Sequence, residues 1–342
     1  MDFERYVTEI ERGRARAATA GAHGPENLVV LARTVSTNLL ARGVAADYET
    51  EGLDLRPMLV LALEQSGGRG RQGRSWSSPR GQGVYATLAR LYEQPELLPV
   101  LPLLVGVGLC RALAPHLPHG CRLKWPNDLV VPHELDGSVD DGMAEGMATS
   151  EQVDVAARKG DLAASTLGAT RASLGATRAS RASKIGGILI EALVHPGDAC
   201  VALIGFGVNH GQRLEELPPG ATSLLLETGG HLGSGRGIGL AELTWELVAG
   251  VERELAHVGD LPYAVAAYRE LIIHRPGDWL VCKVGEREVA GAFAGIDDAG
   301  RLRLRPAAAC AAPGAGAGAR AEDGGEDGAE VVVLSAGEVV ER

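Results

Sequence analysis

Lysine is scarce in this chain: of 33 basic residues only Lys124, Lys159, Lys184 and Lys283 are lysines. Under such a bias toward arginine, a surviving lysine marks a place where a compact point charge is a candidate requirement. Chance is the plain reading for Lys159 and Lys283. Positive charge as a whole is also short, with a formal net charge of −11. That argues against a general nucleic-acid binder, which needs a basic surface for phosphates. No uninterrupted apolar run reaches the roughly 18 residues of a bilayer span. The segment Met1–Glu11 has four acidic residues and no apolar core of a secretion signal. Paired cysteines are missing too. Cys110, Cys121, Cys200, Cys282 and Cys310 are scattered without CxxC or metal-ligand spacing, as expected of free thiols in a reducing compartment. A cytoplasmic protein is expected.

A length of 342 residues and an apolar fraction of 45% allow two domains with real cores. Residues 1–27 read as a short amphipathic helix and a turn. From Leu28 strand-like and helix-like segments mix without a regular βαβ beat, which favours an α+β class over a doubly wound sheet. Strands are expected at Leu28–Arg33, Met58–Gln65, Gly83–Arg90, Arg122–Val131, Ile185–Leu193 and Cys200–Val208. In Gly83–Arg90, Tyr85, Thr87 and Ala89 alternate with apolar neighbours. Helices are expected from Ser36-Thr37-Asn38 to about Val44, over Leu97–Leu117 with a break near Pro115, over Thr244–Val258 and over Tyr263–Ile273. After Arg275-Pro276-Gly277 short strands at Trp279–Val284, Glu288–Ile296, Leu302–Arg305 and Val331–Leu334 predict a small all-β barrel. Two tracts are low-complexity. Residues 132–183 are polar and repeat LGATRAS at 167–173 and 174–180, and 307–330 interrupt the barrel. Both read as disordered loop insertions, tolerable because closing a longer loop adds only about 0.6 kcal/mol per doubling.

The densest chemical signal is Glu64-Gln65-Ser66-Gly67-Gly68-Arg69-Gly70-Arg71-Gln72-Gly73-Arg74-Ser75-Trp76. Gly68-x-Gly70-x-x-Gly73 spells a dinucleotide fingerprint, but it does not open a helix and runs instead into Ser77-Ser78-Pro79. Glycines let the backbone approach a ligand, and Arg69, Arg71 and Arg74 can clamp an anion bidentately. A solvated basic hairpin tip is an equal reading of this run alone. In Lys124-Trp125-Pro126-Asn127-Asp128, Asp128 can hold a metal or orient Lys184, and Asn127 can bond a ligand. Ordinary turn chemistry is the alternative. In Ser183-Lys184-Ile185-Gly186-Gly187-Ile188-Leu189-Ile190-Glu191, Lys184 opens an apolar strand, as a ligand-reaching or a snorkelling lysine. Gly205-Phe206-Gly207-Val208-Asn209 is a strand end that permits close backbone approach.

In this order, and with Thr34-Val35-Ser36-Thr37-Asn38, Ala221-Thr222-Ser223-Leu224 and the terminal Leu334-Ser335-Ala336-Gly337-Glu338-Val339, these motifs resemble the biotin–protein ligase family over most of the chain. The resemblance implies a mixed-sheet catalytic domain with packed helices, of the class II synthetase-like or biotin–lipoate ligase fold, at 28–274, preceded by the 1–27 extension. It implies an SH3-like β-barrel at 275–342. It also implies that ATP activates biotin to biotinyl-5′-adenylate, with transfer to a lysine of a biotin carboxyl carrier domain of an acyl-CoA carboxylase. By the same resemblance, Ser36, Thr37, Asn38 and Gln65 hold biotin, and Arg69, Gly70 and Arg71 belong to a loop closing over biotin and the adenylate. Arg74, Trp76, Asn127 and Asn209 contact the nucleotide, and Lys184 lies between the biotin carboxylate and the α-phosphate. Lys184, Arg71 and Asp128 form the catalytic set. Mg²⁺ is expected with ATP.

Two departures from the family pattern stand out. A short turn is expected between KWPND and SKIGG, yet 55 residues (129–183) separate them. If the flanking strands still pair, the insert bulges outward; if not, Lys184 is displaced. The helix-turn-helix headpiece of the family's repressor-type members is also missing, so operator DNA binding is not expected. No membrane association is expected, and a homodimer is open. A lipoate–protein ligase shares the architecture and is the nearest rival. A biotin sensor without ligase activity, or an enzyme silenced by its insert, are the others.

Overall fold

The computed structural model describes residues 2–19, 24–133, 182–194, 199–232, 237–306, 319–322, 331–335 and 338–340. Most of the expected 132–183 insertion, most of the 307–330 tract, and Cys310 lie outside them. Two sheets organise the chain. The first has seven strands, β1 (Asn27–Leu31), β2 (Met58–Ala62), β3 (Gly83–Tyr92), β4 (Arg122–Lys124), β5 (Asp128–Pro132), β6 (Ala182–Val194) and β7 (Cys200–Asn209), in the order β1-β2-β3-β7-β6-β5-β4. Among the described strands, only β1 and β2 pair in parallel with one another. The second sheet is antiparallel and six-stranded. It contains β8 (Trp279–Val284), β9 (Arg287–Ile296), β10 (Leu302–Arg305), β11 (Ala319–Glu322), β12 (Val331–Leu334) and β13 (Glu338–Val340), ordered β11-β12-β10-β9-β8-β13. The expected α+β class holds, with a large mixed sheet and a separate antiparallel one.

Helices cover the two faces of the large sheet unequally. α1 (Phe3–Thr19), α3 (Leu101–Leu113), α5 (Leu240–Leu255) and α6 (Leu261–Leu271) lie on one side, where Leu59, Leu61, Leu88, Ile204 and Val208 enter a core shared with Leu280, Phe293 and Leu304 of the second sheet. On the other side α2 (Thr37–Thr50) works alone, packing Ala41 and Ala45 on Met58, Val60, Ala89, Val201 and Leu203. A short α4 (Leu224–Glu227) is N-capped by Ser223. α3 and α5 cross closely enough that a Cβ added at Gly108 would lie 2.6 Å from the Gly250 carbonyl oxygen. Glycine is therefore demanded there by helix contact rather than by any turn. The second sheet docks through Arg269, which donates to the Ile296 carbonyl oxygen at 2.9 and 2.6 Å, and through buried His274, whose ring lies tilted against Phe293 at 5.6 Å between centroids.

Several elements differ from the sequence expectation, each for a physical reason. Arg122–Val131 is a hairpin, β4 and β5, because Trp125-Pro126-Asn127 turns the chain inside an apolar run; the Trp125–Pro126 peptide is cis. Leu97–Leu117 divides into a 3-10 segment Pro95–Val100, α3 and a 3-10 turn Ala114–His116, matching its prolines at 95, 99, 102 and 115. By length and composition the stretch Pro95–His116 could cross a membrane, which a search for uninterrupted apolar runs misses, yet 61% of its most apolar window is buried inside the fold. In β3, Tyr85, Thr87 and Ala89 are as buried as their neighbours, since both faces of this central strand are covered. Strand pairing carries β5 to Pro132 and starts β6 at Ala182, inside the expected insertion, and β11 forms inside the second tract. β13 was also not expected.

Candidate functional site

A cavity among the described residues follows from which residues β6 and β7 point toward the α2 side. Along β7 these are Val201, Leu203, Gly205, Gly207 and Asn209; along β6, read in the opposite direction, they are Leu193, Glu191, Leu189 and Gly187. At one end side chains fill the space beneath α2. At the other, three glycines leave a cavity of about 320 Å³, within the usual size of a small-molecule site. The glycines are sterically required. A Cβ at Gly205 would meet Asn38 Oδ1 at 2.2 Å, and one at Gly207 would meet Trp76 Nε1 at 2.7 Å. The first turn of α2, with Ser36 as N-cap residue, opens onto the same space.

Over the cavity folds the arginine–glycine loop. It is a narrow hairpin, closed by Gly70 N–H donating to the Arg74 carbonyl oxygen at 2.8 Å and Trp76 N–H to the Gly68 carbonyl oxygen at 2.8 Å. Its tip is a 3-10 turn Arg71–Gly73, with Gln72 at φ 56° and Gly73 at φ 73°. Its width is fixed at the base, because a Cβ at Gly68 would lie 2.4 Å from the Trp76 carbonyl oxygen. Arg71 Nη1 donates to Asn127 Oδ1 at 3.1 Å, and Asn127 Nδ2 donates to the Ile188 carbonyl oxygen at 2.9 Å, so the loop leans on the β4–β5 turn. Arg69 pairs with Glu191 at 3.3 Å.

Lys184 sits where these parts meet. It is the third residue of β6, next to an irregularity in the β5 pairing, rather than the residue opening the strand. Its Nζ donates to Asp128 Oδ1 at 2.6 Å and lies 5.5 Å from the centroid of the Trp76 ring. Of the two roles open to Asp128, the observed contact is the orientation of Lys184. Among the described residues no three His, Cys, Asp or Glu side chains gather as a metal site. Trp76 Nε1 is buried without a hydrogen-bond partner beside Lys184 and Gly207, an atom that a bound acceptor would satisfy.

The structure brings Ser36, Thr37, Asn38, Gln65, Arg69, Gly70, Arg71, Arg74, Trp76, Asn127, Lys184 and Asn209 together on this one cavity; Asp128 joins them through Lys184. Several are committed internally. Asn38 spends its amide on Thr87, Leu189 and Glu191, and Asn209 donates to the Thr222 carbonyl oxygen at 2.9 Å while accepting from Gln212 at 3.2 Å. Sequence reasoning missed Gln212, Glu216, Leu217 and Pro218, which close one side of the cavity and carry no motif. Thr87 and Glu191 were quoted but given no role; their alternation with Gly205 and Gly207 across the sheet was the available signal.

Residues 46–145 match the profile of the biotin/lipoate A/B protein ligase family. The chain is 27% identical over 347 residues to the biotin–[acetyl-CoA-carboxylase] ligase of Mycobacterium tuberculosis, covering 99% of this chain and 98% of the relative. It is 28% identical over 248 residues to the bifunctional ligase/repressor BirA of Salmonella typhimurium, covering 71% of this chain but only 60% of that relative. A solved biotin protein ligase from Aquifex aeolicus, in complex with biotin and ATP, superposes with a TM-score of 0.55 at 19% identity, covering 92% of this chain and 98% of the other, which shows a common fold.

Proposed function

We propose that the chain is a biotin–protein ligase, in keeping with the match of residues 46–145 to the biotin/lipoate A/B protein ligase family. Biotin's carboxylate attacks the α-phosphate of ATP, giving biotinyl-5′-adenylate and pyrophosphate. The ε-amine of a lysine on a biotin carboxyl carrier domain then attacks the acyl carbon, forming the amide and releasing AMP. The observation that carries this reading is the placement of Lys184. It is the ammonium at the lip of a glycine-walled cavity, steadied by Asp128 and lying against Trp76, with an arginine loop folded above.

In this reading biotin's fused rings lie in the glycine-walled part, near Ser36, Thr37, Asn38 and Gln65. Its carboxylate points at Lys184, where a fixed cation stabilises charge developing on the reacting oxygens. Arg69, Gly70, Arg71 and Arg74 cover the adenylate, with Trp76, Asn127 and Asn209 on the nucleotide side. Mg²⁺ would come with the nucleotide's phosphates, where a hard cation would offset their charge while keeping much of its hydration. The 28–274 portion is the catalytic domain and 275–342 an SH3-like domain. The partner is the carrier domain of an acyl-CoA carboxylase, in the cytoplasm.

The direct test is transfer of labelled biotin to a purified carrier domain by the full chain with ATP and Mg²⁺. Labelling that requires ATP is the expected result, and its absence despite tight biotin binding overturns the ligase in favour of a sensor. Lys184→Ala should lower the adenylation rate by about 100- to 1,000-fold, the size of a lost transition-state donor, while the melting temperature holds. Near-normal adenylate yield from that variant would remove Lys184 from the mechanism. A larger melting shift with biotin than with lipoate separates this enzyme from its nearest rival.

A further inference from the structure

A chain of hydrogen bonds with one allowed direction runs along the α2 side of the sheet to the cavity wall. It starts at Glu191, which accepts from Arg42 Nη2 at 3.1 Å and pairs with Arg69 at 3.3 Å. Asn38 Nδ2 lies 3.0 Å from Glu191 Oε2 and 3.3 Å from the Leu189 carbonyl oxygen. Carboxylate and carbonyl oxygens only accept, so the amide nitrogen of Asn38 must face them and its oxygen must face the other way. That oxygen is 2.6 Å from Thr87 Oγ1. An amide oxygen cannot donate, so the single proton of Thr87 goes to Asn38. Thr87 Oγ1 is also 2.8 Å from Thr37 Oγ1, and with its own proton spent it can only accept there. The proton of Thr37 therefore points inward to Thr87, away from its longer contact of 3.3 Å to Gln65 Oε1.

We propose that Thr87, fixed by Asn38 and Glu191, is a specificity-determining positioning residue that turns Thr37 into an obligate hydrogen-bond acceptor at the cavity wall. Gln65 is set the same way. Its Oε1 takes the backbone N–H of Thr37 at 2.9 Å and its Nε2 faces Ser78 Oγ at 2.9 Å. Two acceptors thus sit side by side where Thr37 and Gln65 line the cavity. A ligand must bring N–H donors to this wall, and one bringing oxygen meets lone pairs. Thr87 is wholly buried, so it acts through Thr37 and touches no ligand.

This inference rests on the biotin reading, and binding alone tests it. The full chain is titrated calorimetrically with biotin and with the two cyclic carbamates in which one or other ring N–H is replaced by oxygen. Against the wild type, at least one carbamate should bind on the order of 100-fold more weakly than biotin or worse, because a buried acceptor is left facing an acceptor. In Thr87→Val the Thr37 hydroxyl is free to turn outward and donate, and the ratio should fall below about tenfold. Thr87→Ser keeps the hydroxyl and should keep the wild-type ratio. An unchanged ratio in Thr87→Val, or a serine variant that behaves like valine, overturns the relay. Should the valine variant not fold, equal affinity of the wild type for biotin and both carbamates overturns it as well. A wild type that binds neither biotin nor the carbamates has a different signature. That outcome removes the biotin reading itself, and the relay with it.

Discussion

The two ends of the face that β6 and β7 turn toward α2 are built from one strand pair and serve opposite purposes. Under the helix, Val201 and Leu203 fill the space against Ala41 and Ala45. Further along the same strands, Gly187, Gly205 and Gly207 leave a hollow lined by polar groups. Backbone pairing is continuous across both halves, from Cys200 opposite Val194 to Val208 opposite Gly186. The difference lies wholly in side-chain volume. A sheet can therefore be rigid over its whole length and still present a cavity, which is how a site is kept within close tolerance of its productive geometry.

The largest effect is expected at the packed end. Leu203→Ala should cost about 2–5 kcal/mol of unfolding free energy, measured by urea denaturation, with biotin affinity little changed. Equal losses of stability and affinity would mean that the two halves are not separable. At the hollow end the effect should reverse. Gly207→Val drives a side chain into Trp76 and should weaken nucleotide binding by an amount comparable to overpacking, about 1–3 kcal/mol or roughly tenfold or more, while the urea midpoint moves little. Unaltered affinity there would show that the glycine serves only the strand. The smallest effect, absent at neutral pH, comes from the junction between the sheets. Burial, aided by Lys124, lowers the His274 pKa from 6.5 to about 3, and neither ring nitrogen has a protein partner. The unfolded chain takes up a proton near pH 6.5 that the fold refuses. Stability is thus complete above that pH and declines as pH falls from 6.5 toward 3. His274→Leu should flatten the profile between pH 7 and 5; an equally steep decline in that variant would assign the loss to other groups.

How much of this was legible in the sequence depends on whether the information is local. The Gly-rich hairpin, the KWPND turn and the SKIGG strand announce themselves by composition, and their residues do meet at one cavity. Helix and strand cores at Met58, Cys200, Leu240 and Trp279 were readable from apolar patterning for the same reason. The β4–β5 hairpin was hidden because its turn is built from Trp125 and Pro126 within an apolar stretch. β11 was hidden because Ala319–Glu322 lies in a tract of alanine and glycine without strand-like patterning. Thr87, Asn38 and Glu191 were the least legible. Their meaning comes from the direction in which protons are shared between residues 49 and 153 positions apart, and no spacing rule encodes that.

Pro132 and Ala182 face each other as the last paired residues of β5 and β6, and the pair holding Lys184 on Asp128 lies only a few rungs away. The chain leaves the enzyme's working parts and re-enters them at the same doorway. The stretch 134–181 is thus a detour between two strands that already pair where it begins and ends. Splicing it out and joining the two strands by a tight turn should leave biotin transfer intact and, by shortening the loop that folding must close, raise stability by roughly 2 kcal/mol. A spliced chain that folds yet cannot label its carrier would show that the detour delivers something to the reaction after all.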